Sequence, residues 1–377
     1  MRVDILANDR ASFIKPMAEG LARMMKDCGA EPRLHCDGIA HLMRPQSVNF
    51  SSLRSFAGST GRLVSNRRHF SGFLDRLRGT DLIVIVSHLP SSFSPSLLPN
   101  IELLRRLMPD VPIVNYDLVY LPSLDSWSRA ILKDEKTGLS EDDMKIFRRG
   151  KFGMERFDWY LMVSVGGYIP LSPRVHPMSL IGIDLDDGRL YPDQRGEFQV
   201  LVDFPQTRGK YPEFREVQLE AIRIAGVKYE QLEGSYTRDE MLAVYRRSSA
   251  LLLAHSESFG LPICEAQACG CLVFTPNPHW PTAHWLGRDY TSKRDPSFSP
   301  NFIVYENDPQ VLAERLKAAA ASFDPDRVRA TFLELQPELY YGDRTALAGF
   351  LEMVKSGEVH SRLHPAHRDV GREKAAS

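Results

Sequence analysis

The sequence predicts an α/β protein built from two domains, residues 1–190 and residues 196–345, each a parallel sheet covered by helices. The chain of 377 residues is longer than one ordinary hydrophobic core supports, so two domains are expected. Apolar runs suited to buried parallel strands alternate with helical segments, as in the strand–helix–strand order of residues 3–36. The polar tail, residues 358–377, is expected to be disordered.

The composition narrows the class of protein. A formal net charge of −1 argues against a nucleic-acid binder, because such proteins carry a strongly basic surface. The five cysteines form no disulfide framework and favour a reducing compartment. Cys269 and Cys271 have no matching Cys/His cluster elsewhere, so no metal site is predicted. Neither a signal-peptide layout nor a long apolar stretch occurs, and we therefore expect a cytoplasmic protein.

The first βαβ unit opens with a strand over residues 3–7 and a helix over residues 15–28, which stops at Gly29. The connecting loop, residues 8–12, contains no glycine. A dinucleotide fingerprint needs glycines at this point, because the backbone must closely approach a pyrophosphate. The loop therefore argues against a nicotinamide-dependent dehydrogenase.

The stretch from residue 50 to residue 79 is basic and amphipathic, with Asp75 as its one acid. Two interpretations are open. The stretch can rest on the anionic inner face of a membrane, or hold an acidic acceptor. Alternatively, it forms a solvated helix whose apolar side packs on its own sheet. The near-neutral charge of the whole chain favours the second interpretation.

Two further strands of the first domain end at candidate functional residues. A β-branched run over residues 81–87 predicts a buried strand that ends at His88. The next strand, residues 111–115, is followed by Tyr116 and Asp117. Ligands gather at the carboxyl ends of parallel strands, so His88 is a candidate for substrate contact. A purely structural role is the alternative for His88.

The second domain opens with a strand over residues 198–204, and the loop after it carries Arg208 and Lys210. Cations at the carboxyl end of a strand suit a diphosphate, because they balance the charge that grows on a leaving group. The alternative is a pair of cations that face solvent.

The stretch from residue 250 to residue 270 is the centre of the predicted chemistry. An apolar strand over residues 250–254 leads through a polar turn to a helix that has Pro262 in its first turn. The amides of Phe259, Gly260 and Leu261 then point outward at the helix N-terminus, where the dipole favours a phosphate. Glu257 and Glu265 bracket this turn and can accept hydrogen bonds from hydroxyls of a sugar or ribose. An ordinary βα turn with two surface glutamates is the alternative.

The turn belongs to a longer string: Glu257, Phe259-Gly260-Leu261-Pro262, Glu265-Ala266 and Cys269-Gly270, followed by apolar residues 272–274. This string resembles the nucleotide-sugar signature of the retaining GT-B glycosyltransferases, the large family that includes sucrose and glycogen synthases. The resemblance covers roughly residues 80–320 and is strongest over residues 236–275. It implies two Rossmann-like βαβ domains that face each other across a cleft, with the acceptor on the first and the nucleotide-sugar on the second.

The resemblance also implies roles for individual residues. Glu257 would touch the transferred sugar, Glu265 would hold the ribose, and the turn from Ser258 to Leu261 would hold the diphosphate. Tyr236 would lie near the nucleotide base and stack on it. The family often has a histidine, near the donor sugar, where this chain has Tyr116; Asp117 beside it is a candidate base for the acceptor hydroxyl.

A short acidic pair allows a different interpretation. The spacing of Asp184 and Asp186 matches the motif by which metal-dependent GT-A transferases hold a divalent ion against a diphosphate. The second βα domain and the amide-lined turn make this interpretation the weaker one.

Together with this resemblance, the sequence predicts a metal-independent glycosyltransferase without a cofactor, and the resemblance implies that the reaction retains the anomeric configuration. Its donor is a nucleotide-diphosphate sugar of UDP or GDP type, and its acceptor is a hydroxyl of a glycan or lipid-linked molecule, as in polysaccharide synthesis. Two alternatives remain, namely a nucleotide-sugar epimerase or sugar phosphorylase on the same fold, and a catalytically silent subunit that binds the sugar nucleotide.

Overall fold

The computed structural model of the chain describes eleven ranges of residues: 1–7, 13–42, 53–86, 97–119, 157–164, 178–193, 196–205, 211–255, 257, 259–286 and 297–364. Side chains of residues 39, 53–63, 97–99, 119 and 211 are not described. The predicted loop over residues 8–12 and the final residues 365–377 lie outside these ranges.

The first sheet contains six strands in the spatial order 2-1-3-4-5-6, and every neighbouring pair is parallel. The strands are β1 (Arg2–Leu6), β2 (Glu31–His35), β3 (Leu82–Val86), β4 (Ile113–Val119), β5 (Trp159–Ser164) and β6 (Met178–Leu180). The helices of this part are α1 (Ile14–Asp27), α2 (Gly38–Leu42), α3 (Leu53–Arg76) and α4 (Leu97–Leu107). All five residues of β3 are buried, as its continuous apolar run predicts.

The second sheet contains five strands, again all parallel, in the spatial order 11-10-9-7-8. The strands are β7 (Gln199–Val202), β8 (Lys228–Gln231), β9 (Ala250–Leu252), β10 (Leu272–Thr275) and β11 (Phe302–Val304). The helices are α5 (Tyr211–Ala225), α6 (Arg238–Arg247), α7 (Leu261–Ala268), α8 (Pro309–Ser322), α9 (Pro325–Leu335) and α10 (Arg344–Ser356), with 3-10 turns at Thr282–His284 and Pro337–Leu339. The two parallel sheets confirm the predicted α/β fold.

The predicted bounds of β4 are wrong by several residues. The strand begins at Ile113 and continues to Val119, because its pairing with β5 extends through Asp117 and Met162 to Val119 and Ser164. Asp117 therefore lies inside the strand, two residues before its carboxyl end, and its side chain is buried.

The segment that leads from the first sheet to the second is held by the chain's last third. The N–H groups of Ile183 and Leu185 donate to the carbonyls of Glu338 and Tyr340 over 2.8 and 2.7 Å. Gly182 has a φ of +65°, and a Cβ there would lie 2.1 Å from the Glu338 carbonyl oxygen. This close backbone approach requires glycine.

The chain returns to the first sheet after the second is complete. Phe350 of α10 packs beside Trp159, with ring centroids 6.4 Å apart. Val359 and Ser361 are buried, and the N–H of Arg362 donates to Asp158 Oδ1 over 2.9 Å. The prediction of disorder from residue 358 is therefore wrong for residues 358–364, because this segment fills the amino-terminal end of the first sheet.

The described side chains of α3 distinguish the two interpretations for part of the basic stretch. Phe70 and Phe73 are buried in the core of the first domain, and the Arg76 guanidinium lies over the Phe73 ring at 5.3 Å. The apolar side of this part of the helix thus packs on its own sheet, while Arg67 and Arg68 are exposed. No helix in the described ranges is both long and apolar enough to cross a membrane.

A buried ion pair joins α4 to β5. Arg105 Nη1 lies 2.6 Å from Asp158 Oδ2, with side-chain exposures of 0% and 1%. Asp158 also accepts a hydrogen bond from the N–H of Ile113 over 2.7 Å. Removing one partner of such a pair is costly, because the other charge then stays buried without its compensating group.

We predict that Asp158→Ala lowers the free energy of unfolding by about 3–5 kcal/mol, measured by urea denaturation. The matched control is Asp75→Ala, which removes an exposed pair with Arg78 (2.9 Å) and is expected to change stability by less than about 1 kcal/mol. Equal effects of the two variants would contradict the assigned role of the buried pair.

Candidate functional site

The turn between β9 and α7 has a backbone shape that only glycine adopts easily. Gly260 is the N-cap of α7, with φ +54° and ψ 94°, and Pro262 occupies the first helical turn. A Cβ at Gly260 would lie 2.5 Å from Glu257 Cγ. Phe259 and Leu261, on either side, are buried and anchor the turn in the core. The helix begins at Leu261, one residue before the proline that predicted it.

The amides of this turn have no acceptor among the described residues. The N–H groups of Phe259, Gly260 and Leu261 make no hydrogen bond there, and the helix has no side-chain cap. An N–H that is removed from water without a partner costs free energy. Because the helix dipole adds positive potential at the same point, the turn is suited to bind an anion.

A histidine flanked by two acids lies beside the turn. His255 Nδ1 is 3.3 Å from Asp203 Oδ2, and His255 Nε2 is 3.3 Å from Glu257 Oε2. Burial alone would lower the pKa of His255, but the contacts with Asp203 and Glu257 outweigh burial and raise the pKa to about 10. The imidazolium therefore persists at neutral pH and compensates the negative charge of Glu257 near the anion-binding turn.

Glu265 lies one helical turn after Leu261 and is only 6% exposed. Arg238 donates to its Oε1 from Nε over 3.3 Å and from Nη2 over 3.2 Å. Its second oxygen, Oε2, accepts no hydrogen bond from the described residues. Burial raises the pKa of Glu265 to about 7, against the opposing pull of Arg238. One carboxylate oxygen thus remains available for a hydroxyl group.

Arg238 also connects this site to the segment between the sheets. Its Nη1 lies 3.4 Å from Asp187 Oδ2, and Asp187 forms a second pair with Arg189 over 2.5 Å. Arg238 follows Thr237, whose side chain and that of Glu240 form a capping box at the start of α6. The carboxylate of Glu265 is therefore held by Arg238 of α6, which is itself paired with Asp187 in the connecting segment.

The structure places the other predicted residues as follows. Tyr236 packs edge-on against Phe204, with ring centroids 5.8 Å apart, and lies two residues before Arg238. Asp117 is buried in the first sheet. His88, Arg208, Lys210 and Ser258 lie outside the described residues. The turn thus brings together Glu257, the three amides and Glu265.

Tyr116 has a structural role. It is fully buried in β4, and its hydroxyl donates to the Gly182 carbonyl over 2.7 Å. The side chain therefore ties the first sheet to the segment that leads to the second.

The acidic pair Asp184 and Asp186 is engaged by protein groups. Arg23 and Arg344 each lie 3.1 Å from a carboxylate oxygen of Asp184, and the hydroxyl of Tyr340 donates to Asp186 over 3.0 Å. Among the described residues, no group of three acids, histidines or cysteines is arranged as a metal site. Asp184 instead links α1 to α10.

Sequence reasoning did not single out Asp203, His255 or Arg238. The first two follow neighbouring strands β7 and β9, and the rule that identified His88 also applies to them. Arg238 lies at the start of α6, and only the packing of α6 on α7 brings its side chain to Glu265.

No protein-family model and no curated protein match the sequence. Solved structures do match. An alpha-glucosyltransferase in complex with UDP and a 13-mer DNA aligns at a TM-score of 0.54 and 14% identity, covering 94% of this chain and 100% of that one. LpCGTa in complex with UDP (TM-score 0.48, 14% identity, 94% and 99% coverage) and Arabidopsis thaliana UGT89C1 with quercetin (0.47, 12%, 94% and 98%) are also similar.

The match above a TM-score of 0.5 extends over the whole of a GT-B glycosyltransferase structure. The chain therefore has the GT-B fold. At 14% identity this similarity shows the fold alone.

The charge of His255 makes a pH-dependent contribution to stability. A folded-state pKa raised to about 10 means that the stabilisation is complete below about pH 6.5 and is lost progressively as the pH rises towards 10. We predict that the difference in melting temperature between the native protein and His255→Gln is larger at pH 6 than at pH 9, in thermal unfolding followed by circular dichroism. A difference that does not change with pH would contradict an imidazolium at this position.

Proposed function

We propose that this chain is a glycosyltransferase that moves a sugar from a nucleotide-diphosphate sugar to an acceptor hydroxyl. One observation carries the proposal. The amides of Phe259, Gly260 and Leu261 have no acceptor among the described residues and lie between Glu257 and Glu265 on a GT-B fold. A nucleotide-diphosphate sugar has a diphosphate between a ribose and a second sugar. The three amides would bind the diphosphate, and the two glutamates would bind the sugars on either side.

The donor would be held by groups of different kinds. The turn amides and the α7 dipole would bind the diphosphate, and Oε2 of Glu265 would accept a ribose hydroxyl. Glu257 would face the transferred sugar. Tyr236 is proposed to stack on the nucleotide base. UDP is the first nucleotide to test, because the GT-B structure of TM-score 0.54 was solved with UDP, and GDP is the second.

Catalysis would depend on placing the acceptor beside the anomeric carbon while the departing diphosphate is stabilised. His255, the turn amides, Arg208 and Lys210 are the proposed sources of positive charge, and this scheme needs no metal ion. Asp117 is the proposed base for the acceptor hydroxyl, with His88 as a further contact. By its resemblance, the reaction is proposed to retain the anomeric configuration.

The acceptor is proposed to be a glycan or lipid-linked molecule on the first domain. The exposed arginines of α3, Arg67 and Arg68, suit an acidic acceptor or the anionic inner face of a membrane. Domain bounds of 1–190 and 196–345 are proposed with the acceptor on the first and the donor on the second.

A silent sugar-nucleotide-binding subunit is the second candidate. The observation that favours it is Tyr116, which fills the core where the family often has a histidine near the donor sugar. Such a subunit would bind the nucleotide and catalyse no transfer.

The first test is a thermal-shift screen against UDP, GDP, ADP and their sugars, because a ligand that binds only the folded state raises the melting temperature. Transfer is then measured with the donor that binds, and proton NMR gives the anomeric configuration of the product. Donor turnover without an acceptor would indicate an epimerase, and nucleotide binding without any turnover would indicate the silent subunit.

The two glutamates are expected to separate binding from transfer. Glu265→Gln should weaken nucleotide affinity about tenfold, because the amide is a weaker hydrogen-bond acceptor for the ribose than the carboxylate. Glu257→Gln should leave nucleotide affinity within about threefold and lower kcat about 100-fold, because the carboxylate acts on the transferred sugar.

Affinity is measured by calorimetry and kcat with saturating donor. The control is Glu334→Gln on the exposed face of α9, which should change neither quantity. Equal behaviour of Glu265→Gln and this control would contradict the proposed donor site.

A further inference from the structure

The carbonyl of Phe259 is held from the core side by a histidine that the nucleotide-sugar signature does not contain. His284 lies in the 3-10 turn Thr282–His284 and is completely buried. Its Nε2 is 2.5 Å from the Phe259 carbonyl oxygen, and its Nδ1 is 3.4 Å from Gln336 Oε1. The imidazole also stacks on the Phe259 ring, with centroids 6.0 Å apart and planes 12° apart.

The direction of this hydrogen bond is fixed by its chemistry. A carbonyl oxygen only accepts, so Nε2 must carry a hydrogen and donate it. Burial lowers the pKa of His284, which keeps the ring neutral. A neutral ring has a single N–H. The Phe259 carbonyl, at 2.5 Å from Nε2, is much closer than Gln336 Oε1, at 3.4 Å from Nδ1, so the N–H is placed on Nε2.

The bond to the carbonyl also determines where the next amide points. In a planar trans peptide, the C=O of one residue and the N–H of the next point in opposite directions. The Phe259 carbonyl points at His284, so the Gly260 N–H points away from it. Glycine, with φ +54°, would otherwise allow this peptide plane to rotate.

We propose that His284 is a positioning residue that fixes the Phe259–Gly260 peptide, and thereby aims the Gly260 amide at the donor diphosphate. This inference rests on the proposed donor site. The neutral imidazole holds the peptide so that the Gly260 N–H points toward the phosphate before the anion binds. The peptide therefore does not need to rotate on binding. His284 itself does not touch the nucleotide.

Calorimetric titration of the full chain with inorganic pyrophosphate, UDP and uridine tests this role. His284→Phe keeps an aromatic ring against Phe259 and Phe302 but lacks the donor. It should weaken binding of pyrophosphate and UDP by a similar factor, about tenfold, and leave uridine affinity unchanged. His284→Gln, whose amide can donate to the same carbonyl, should restore most of the loss. A purely structural residue would affect uridine as well.

A matched control is His41→Phe. His41 is also largely buried and stacked on a phenylalanine, Phe73, but lies in the first domain. It should alter stability without altering pyrophosphate affinity. If His284→Phe does not fold, His284→Asn takes its place in the test. The asparagine side chain is one methylene shorter than that of glutamine, so its amide does not reach the Phe259 carbonyl.

The outcomes separate this inference from the proposed function. Unchanged pyrophosphate affinity in His284→Phe, or an equal loss for uridine, overturns the role of His284 while transfer by the native protein stands. A selective loss of pyrophosphate and UDP in a protein that transfers no sugar supports the role of His284 and overturns the proposed reaction. A native protein that binds neither pyrophosphate nor UDP overturns both.

Discussion

The site depends on a constraint of the backbone, namely three consecutive amides at a helix start that find no acceptor among the described residues. Buried Phe259 and Leu261 hold the turn in place, and Gly260 adopts a left-handed conformation that a larger residue would resist. Pro262 then starts the helix without needing an N–H of its own. Because each of these features removes freedom from the turn, an anion can bind without paying for much reordering.

Charge balance explains how two glutamates can stand beside an anion site. Each acid has a cationic partner, His255 for Glu257 and Arg238 for Glu265. His255 follows β9, and Arg238 is the first residue of α6. Arg238 extends the network to Asp187, so the donor side is joined to the segment between the sheets, where Asp184 is held by Arg23 and Arg344.

Local patterns were sufficient to predict the two parallel sheets, the start of α7 and its bracketing glutamates, because apolar runs, proline and glycine act over a few residues. Contacts that join distant parts of the chain were not predictable in this way. The extension of β4 depends on its pairing with β5, and the packing of residues 358–364 depends on Asp158. His284 gains its role from Phe259, 25 positions away, so no short motif could reveal it. The contact of His255 with Asp203, 52 positions away, likewise depends on the pairing of β7 with β9.

The most direct test is a crystal structure of the chain with UDP bound. We expect diphosphate oxygens within about 3 Å of the Gly260 and Leu261 amide nitrogens, and a ribose hydroxyl that donates to Oε2 of Glu265. UDP bound in another pocket, with no anion on the amides of this turn, would contradict the proposed donor site.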